Sequence, residues 1–87
     1  MELLEAHIRA LQRLRDVFPD GIVASELVSD REAREYVLTL FTKKGYIQRR
    51  RRFRGERIYI TEKGLNFLED YEKRLMEIED KDGGRKT

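Results

Sequence analysis

Apolar residues recur at Leu4, Ile8, Leu11, Leu14 and Phe18, with Leu3 and Val17 beside them. Gaps of three and four put these side chains on one face of a helix, predicted over residues 1–18. Glu2 and Glu5 sit near its positive end, and Arg13 and Arg15 near its negative end. Pro19-Asp20-Gly21 then stops it. Ile22-Val23-Ala24 is long enough only for a strand stub or an extended connection. Ser25 is placed to cap a short helix through Val28, and Ser29-Asp-Arg-Glu32 has the form of a capping box. The helix that follows is expected to run to Lys44, with Ala33, Val37, Leu40 and Phe41 inward and Tyr36 at the margin. Lys43-Lys44-Gly45 closes it with cations and a residue that accepts positive φ.

Beyond Gly45 the period shifts to two. Tyr46–Arg52 and Arg57–Thr61 bracket Phe53-Arg-Gly-Glu56, which predicts a β-hairpin with Gly55 in the turn. Thr61 caps a last helix striped with Leu65, Leu68, Tyr71, Leu75 and Ile78. Residues 81–87 lack apolar side chains and are expected to be a disordered tail. Two short helices followed by a hairpin are the elements of a winged helix-turn-helix. The expected fold class is therefore α+β, mostly α, in one domain over residues 1–80. Its parts are a helix-turn-helix at 25–45, a two-stranded wing at 46–61 and a long C-terminal helix at 62–80.

Charge sharpens this picture. Residues 49–57 hold six arginines and one glutamate, summing to +5 in a chain of net charge +2, which leaves −3 elsewhere. Residues 62–82 hold eight acids and four bases. Such segregation gives the molecule a basic end and an acidic end. With 87 residues the core is small, since so short a chain buries only about 60% of its extended surface. Burial shared with a second subunit would help it. Abundant Arg and Glu beside one Asn and two Gln is a composition found in heat-adapted proteins.

The run LTLFTKKGYIQRRRRFRGERIYITEKGLNFLEDYEKRL resembles the core of winged-helix transcription regulators of the MarR and PadR type. It is also similar to small archaeal winged-helix DNA-binding proteins that dimerise through a long C-terminal helix. Leu40 to Gly45 matches the end of their recognition helix, Tyr46-Ile47 through Tyr59-Ile60 their wing, and Thr61-Glu62-Lys63-Gly64 the junction into their last helix. The likeness is closest over residues 38–75. Length is the main departure, because MarR proteins carry extra helices for dimerisation and a ligand pocket.

Alternation along the hairpin sends Arg49 and Arg51 to one side and Arg50 and Arg52 to the other, with Arg54 at the tip and Arg57 on the return strand. A guanidinium fork grips phosphate bidentately, and Arg54 suits a narrow minor groove. On the Ser29–Lys44 helix the outward residues are expected to be Arg31, Glu35, Thr39 and Thr42, flanked by Arg34, Leu38 and Lys43. Arg can read guanine, Thr a phosphate or thymine methyl, and Glu can accept from cytosine. Glu32 is read as a capping residue, and the role of Glu35 is open. The last helix carries more apolar surface than one small domain needs. Leu68, Tyr71, Leu75, Met76 and Ile78, together with Leu4, are expected at a homodimer interface, while Leu65 and Leu68 also pack on the chain's own first helix.

Chemistry of other kinds finds little footing. There is no cysteine, His7 is the lone histidine, and no paired-ligand spacing, GxGxxG or P-loop occurs. No catalytic, metal or cofactor site is expected, nor a membrane span, and a cytoplasmic protein follows. The expected partners are double-stranded DNA and a second copy of the chain, in a sequence-specific transcriptional regulator. Two other uses fit the same residues: an architectural protein coating DNA, or an interaction module docking an acidic protein on the hairpin. Nothing in the sequence specifies an effector or an operator.

Overall fold

Six side chains are almost wholly removed from water: Leu11, Leu14, Leu38, Phe41, Ile58 and Leu68. They come from four separate segments, so no one segment can bury its apolar face alone. Each contributes about 1.5–3 kcal/mol of burial, and Phe41→Ala would cost about 3–5 kcal/mol with the cavity it leaves. The computed structural model describes residues 5–85. In chain order the elements are α1 (Glu5–Val17), β1 (Ile22–Val23), α2 (Ala24–Leu27), α3 (Arg31–Lys44), β2 (Ile47–Arg52), β3 (Gly55–Ile60) and α4 (Glu62–Arg85). The expected order of elements is present.

The strands form one antiparallel sheet in the order β1-β3-β2. Ile22 pairs with Ile58 and Val23 with Arg57, so the hairpin gains a third, two-residue strand at its base. Ile47 opposite Ile60, and Ile58 opposite Arg49, turn the sheet's inner face to the core. Arg13 donates from Nη1 to the carbonyls of Glu26 (3.2 Å) and Leu27 (3.1 Å), satisfying the end of α2. Arg34 does the same for the carbonyls of Val28 (3.0 Å) and Ser29 (3.2 Å) in the turn before α3.

The Thr61-Glu-Lys-Gly64 junction has a mechanical explanation. The Thr61 amide donates to the Tyr46 carbonyl at 2.9 Å, and its hydroxyl donates to the Gly45 carbonyl at 2.6 Å. The same hydroxyl accepts from the Gly64 amide at 3.1 Å, which caps α4. A Cβ on Gly64 would overlap the Tyr46 carbonyl oxygen and stand 2.7 Å from Ile60 Cγ1. The junction therefore welds the start of α4 to the end of α3. Farther along, Tyr46 and Phe67 stack at 4.6 Å between centroids. Arg15 holds Glu72 bidentately at 2.7 and 3.0 Å, with Gln12 adding a 2.9 Å bond, so α1 is tied to α4.

Several expectations are corrected. Asp30, not Ser29, caps α3: its carboxylate accepts from the Ala33 amide at 2.8 Å. The helix starts one residue later than a Ser29 cap requires, so Glu32 is not the partner of a capping box. α2 begins at Ala24 straight out of β1, with no side-chain cap, and Ser25 is exposed. In α3 the buried residues are Val37, Leu38, Leu40 and Phe41: Val37, Leu40 and Phe41 are inward as expected, Ala33 is exposed, and Leu38 is fully buried. Apolar pairs at 37–38 and 40–41 leave the helix phase ambiguous, and packing chose the phase containing Leu38. Phe18, expected on the α1 stripe, lies beyond the helix end and is half exposed. α4 continues to Arg85, through residues 81–85 of the expected tail.

Candidate nucleic-acid interface

The hairpin sorts its arginines by face. Register pairs Arg50 with Arg57, Arg51 with Glu56 and Arg52 with Gly55. Arg49, Arg51, Glu56 and Ile58 share the inner face; Arg50, Arg52, Arg57 and Tyr59 share the outer one.

Arg49 is the inner member nearest the core. Its Nε donates to Glu56 Oε2 at 2.6 Å and its Nη2 to Glu56 Oε1 at 2.9 Å, with a longer 3.4 Å bond to Glu35 on α3. These bonds raise the guanidinium's pKa and, foremost among several causes, hold the Glu56 carboxyl below its ordinary value. Partial burial works against both shifts. Arg49 is thus neutralised in place, fastening the hairpin to α3.

Its neighbours are free of such ties. Arg50, Arg51, Arg52 and Arg54 are exposed and make no ion pair among the described residues. Arg50 lies over the Tyr59 ring at 5.7 Å from its centroid, opposite the like-charged Arg57. Arg57 donates to the Gly21 carbonyl at 3.2 Å and keeps an exposed side chain. Phe53-Arg54 forms a two-residue loop, and Gly55 takes the positive φ of 127° that closes it. Arg31 from α3 and Arg54 from the tip line one open cleft of about 390 Å³, with Ser25, Glu35 and Glu56.

No protein-family model and no curated protein matches this sequence. Solved structures do match its shape. A MarR transcription factor from Planctomyces limnophilus gives a TM-score of 0.80 at 21% identity, over 97% of this chain and 65% of that one. A mutant of S. aureus MepR gives 0.82 at 17% identity, over 95% and 65%. A second S. aureus MepR mutant, bound to an oligodeoxyribonucleotide, gives 0.75 at 17% identity, over 91% and 62%. The chain has the MarR-type winged-helix fold. It spans less than two thirds of the length of each of these structures.

In winged-helix terms, α2 and α3 are the helix-turn-helix and β2–β3 the wing. Arg31, Glu35, Thr39, Thr42 and Lys43 are exposed on α3, with Tyr36 among them. Thr42 turns its hydroxyl back to the Leu38 carbonyl at 2.7 Å, leaving its methyl and oxygen lone pairs available. Two members of the expected DNA-facing set do not stand there. Leu38 is in the core, and Arg34 is half-buried with its guanidinium on the turn carbonyls. Arg49 faces inward as described. On α4, Leu68 is fully buried inside the chain's own core, so it cannot meet a partner. Tyr71 is half-buried beside Phe67, while Leu75, Met76 and Ile78 are exposed. Leu4 lies outside the described residues.

Sequence reasoning passed over two features of the wing. Tyr59 places an aromatic face under Arg50, which the period-two alternation could have shown. Phe53 stands fully in solvent at the tip; the signal was a large apolar residue where turn chemistry favours small or polar ones.

Proposed function

We propose that this chain is a sequence-specific, double-stranded DNA-binding transcriptional regulator acting as a homodimer in the cytoplasm. In this reading α3 enters the major groove and the wing grips the adjacent backbone or minor groove. One observation carries it: four exposed arginines that make no ion pair among the described residues, on a hairpin tied at its base to α3. Such a ribbon is fit to displace the counterions condensed on a duplex. Likeness in fold to a MarR transcription factor and to an oligodeoxyribonucleotide-bound MepR supports the same use. Arg31, Thr39, Thr42 and Lys43 supply hydrogen bonds and a methyl for base edges.

The dimer rests on the outer half of α4. Leu75, Met76 and Ile78 are 43, 63 and 58% exposed, well past the half that packs on α1. A second α4 laid against them would remove this surface from water. Two-fold symmetry would then set two α3 helices on half-sites about one helical turn apart. No described helix is long and apolar enough to cross a membrane.

Selection from a random duplex pool, followed by competition in a gel shift, tests the reading. The selected site should outcompete random duplex by roughly a thousandfold or more. Equal affinity would leave an architectural protein instead. If no duplex binds below about 100 μM at physiological salt, DNA is not the partner and the wing docks something else. For the dimer, Leu75→Glu should sediment as a folded monomer, since residue 75 lies outside the core, with a melting temperature lowered by the lost association. A persisting dimer would place the interface elsewhere.

A further inference from the structure

Phe53 is the most exposed of the described large hydrophobic residues, at 103% of its reference area. It fills the first position of a two-residue loop, where Gly, Asn, Asp, Pro or Ser would serve the backbone better. Neither it nor Arg54 takes positive φ, and Gly55 absorbs that requirement. The ring adds nothing to the core, so the fold does not account for it. Its setting does point somewhere. Arg52 and Arg54 flank it in the chain, and with Arg57 they border an open hollow of about 430 Å³ that Phe53, Val23, Gly55 and the single acid Glu56 also line. An aromatic ring held out between unpaired cations matches a target with an apolar slot bordered by anions. A base-pair step between phosphates is such a target.

We infer that Phe53 is a wedge: it enters between two adjacent base pairs from the minor groove while Arg52 and Arg54 hold the flanking phosphates. This deepens the DNA-binding reading and rests on it. Aromatic and aliphatic wedges of this kind unstack a step and kink the duplex by roughly 20–90° toward the major groove. Flexible pyrimidine–purine steps, which kink most readily, are the preferred point of entry. The wing then recognises deformability at a step whose base edges it never reads.

The test is end-to-end energy transfer on a 30-bp duplex labelled at both ends and carrying one central TA step. Wild-type protein should shorten the end-to-end distance. Phe53→Ala should bind with less than tenfold loss and leave the duplex straight, and Phe53→Leu should restore most of the bend. Because the side chain touches no core residue, neither change endangers folding. Wild type that binds without bending, or Phe53→Ala that bends as wild type does, overturns the wedge and leaves the arginine interface standing. Absence of duplex binding by wild type removes both together. Phosphatidylserine vesicles give a further arm: loss of vesicle binding in Phe53→Ala, with bending unchanged, would assign the ring to a membrane surface and overturn the proposal.

Discussion

At the base of the wing, Arg49 is 23% exposed and gives three hydrogen bonds to Glu56 and Glu35. A few residues away, Arg51, Arg52 and Arg54 stand in solvent and make no ion pair among the described residues, although Arg51 lies across the strands from Glu56. The same residue type in one unbroken run therefore does two jobs. What separates them is the two-residue period together with distance from the core. The inner face near Ile47 and Ile58 is lined by protein, so a guanidinium there needs an internal partner, because an unpaired charge loses its hydration. Toward the tip both faces are wet, and no partner is needed. Glu56, the one acid in the run, lies opposite Arg51, yet both of its hydrogen bonds come from Arg49 at the base.

The largest effect should come from the tip. Replacing Arg50, Arg52 and Arg54 together by Ala should weaken binding to every duplex on the order of a hundredfold. It should also flatten the dependence of log K on log salt by up to about 0.9 per lost phosphate contact. Thermal stability should stay close to wild type. An unchanged salt slope would show that these side chains do not touch phosphate, and the contrast between base and tip would collapse.

Arg49→Ala should behave in the opposite way. It leaves Glu56 without its hydrogen bonds and costs about 2 kcal/mol, or roughly 10 °C in melting temperature. The salt slope of DNA binding by the folded variant should be nearly that of wild type. A slope reduced by a full contact would move Arg49 into the interface. A cycle with Glu56→Gln should give a coupling energy of about 1 kcal/mol, as for residues in direct contact.

The smallest effect is on acid stability. Arg49 first of all, through its hydrogen bonds, holds the Glu56 carboxyl below its ordinary 4.5; Arg15 does the same for Glu72. A depressed carboxyl favours the folded state above its unfolded value, and the benefit is lost as pH falls through the folded value. Melting temperature should thus decline as pH drops below 4.5, and Arg49→Ala should decline less steeply. Equal slopes would mean that the Arg49–Glu56 pair is not formed in solution. The α1–α4 pair supplies the slope that remains.

Much of the order of elements was legible beforehand, because periodicity and turn residues act over short distances. Gly45 ends α3 with φ of 78°, Thr61 caps α4, and the hairpin lies where alternation placed it. Errors gathered where two local solutions were nearly equal. Asp30 and Ser29 are both good caps, and α3 could be rolled to bury either Ala33 or Leu38. Neither choice can be made from neighbours in sequence, since α3 packs on segments outside itself, among them β2 and, through the His7 ring against Phe41, α1.

Among the site residues the division is similar. Composition alone concentrated six arginines in nine positions and so marked the wing as the electrostatic feature of the chain. Only the tertiary structure decided which are engaged, through strand register and the approach of α3, which set Glu56 and Glu35 around Arg49. It also drew Arg34 to the turn carbonyls and Leu68 into the core. The physical reason is that charge and period are properties of the chain, readable one residue at a time. Desolvation and pairing depend on what folds against each residue, and that is settled only when distant segments meet.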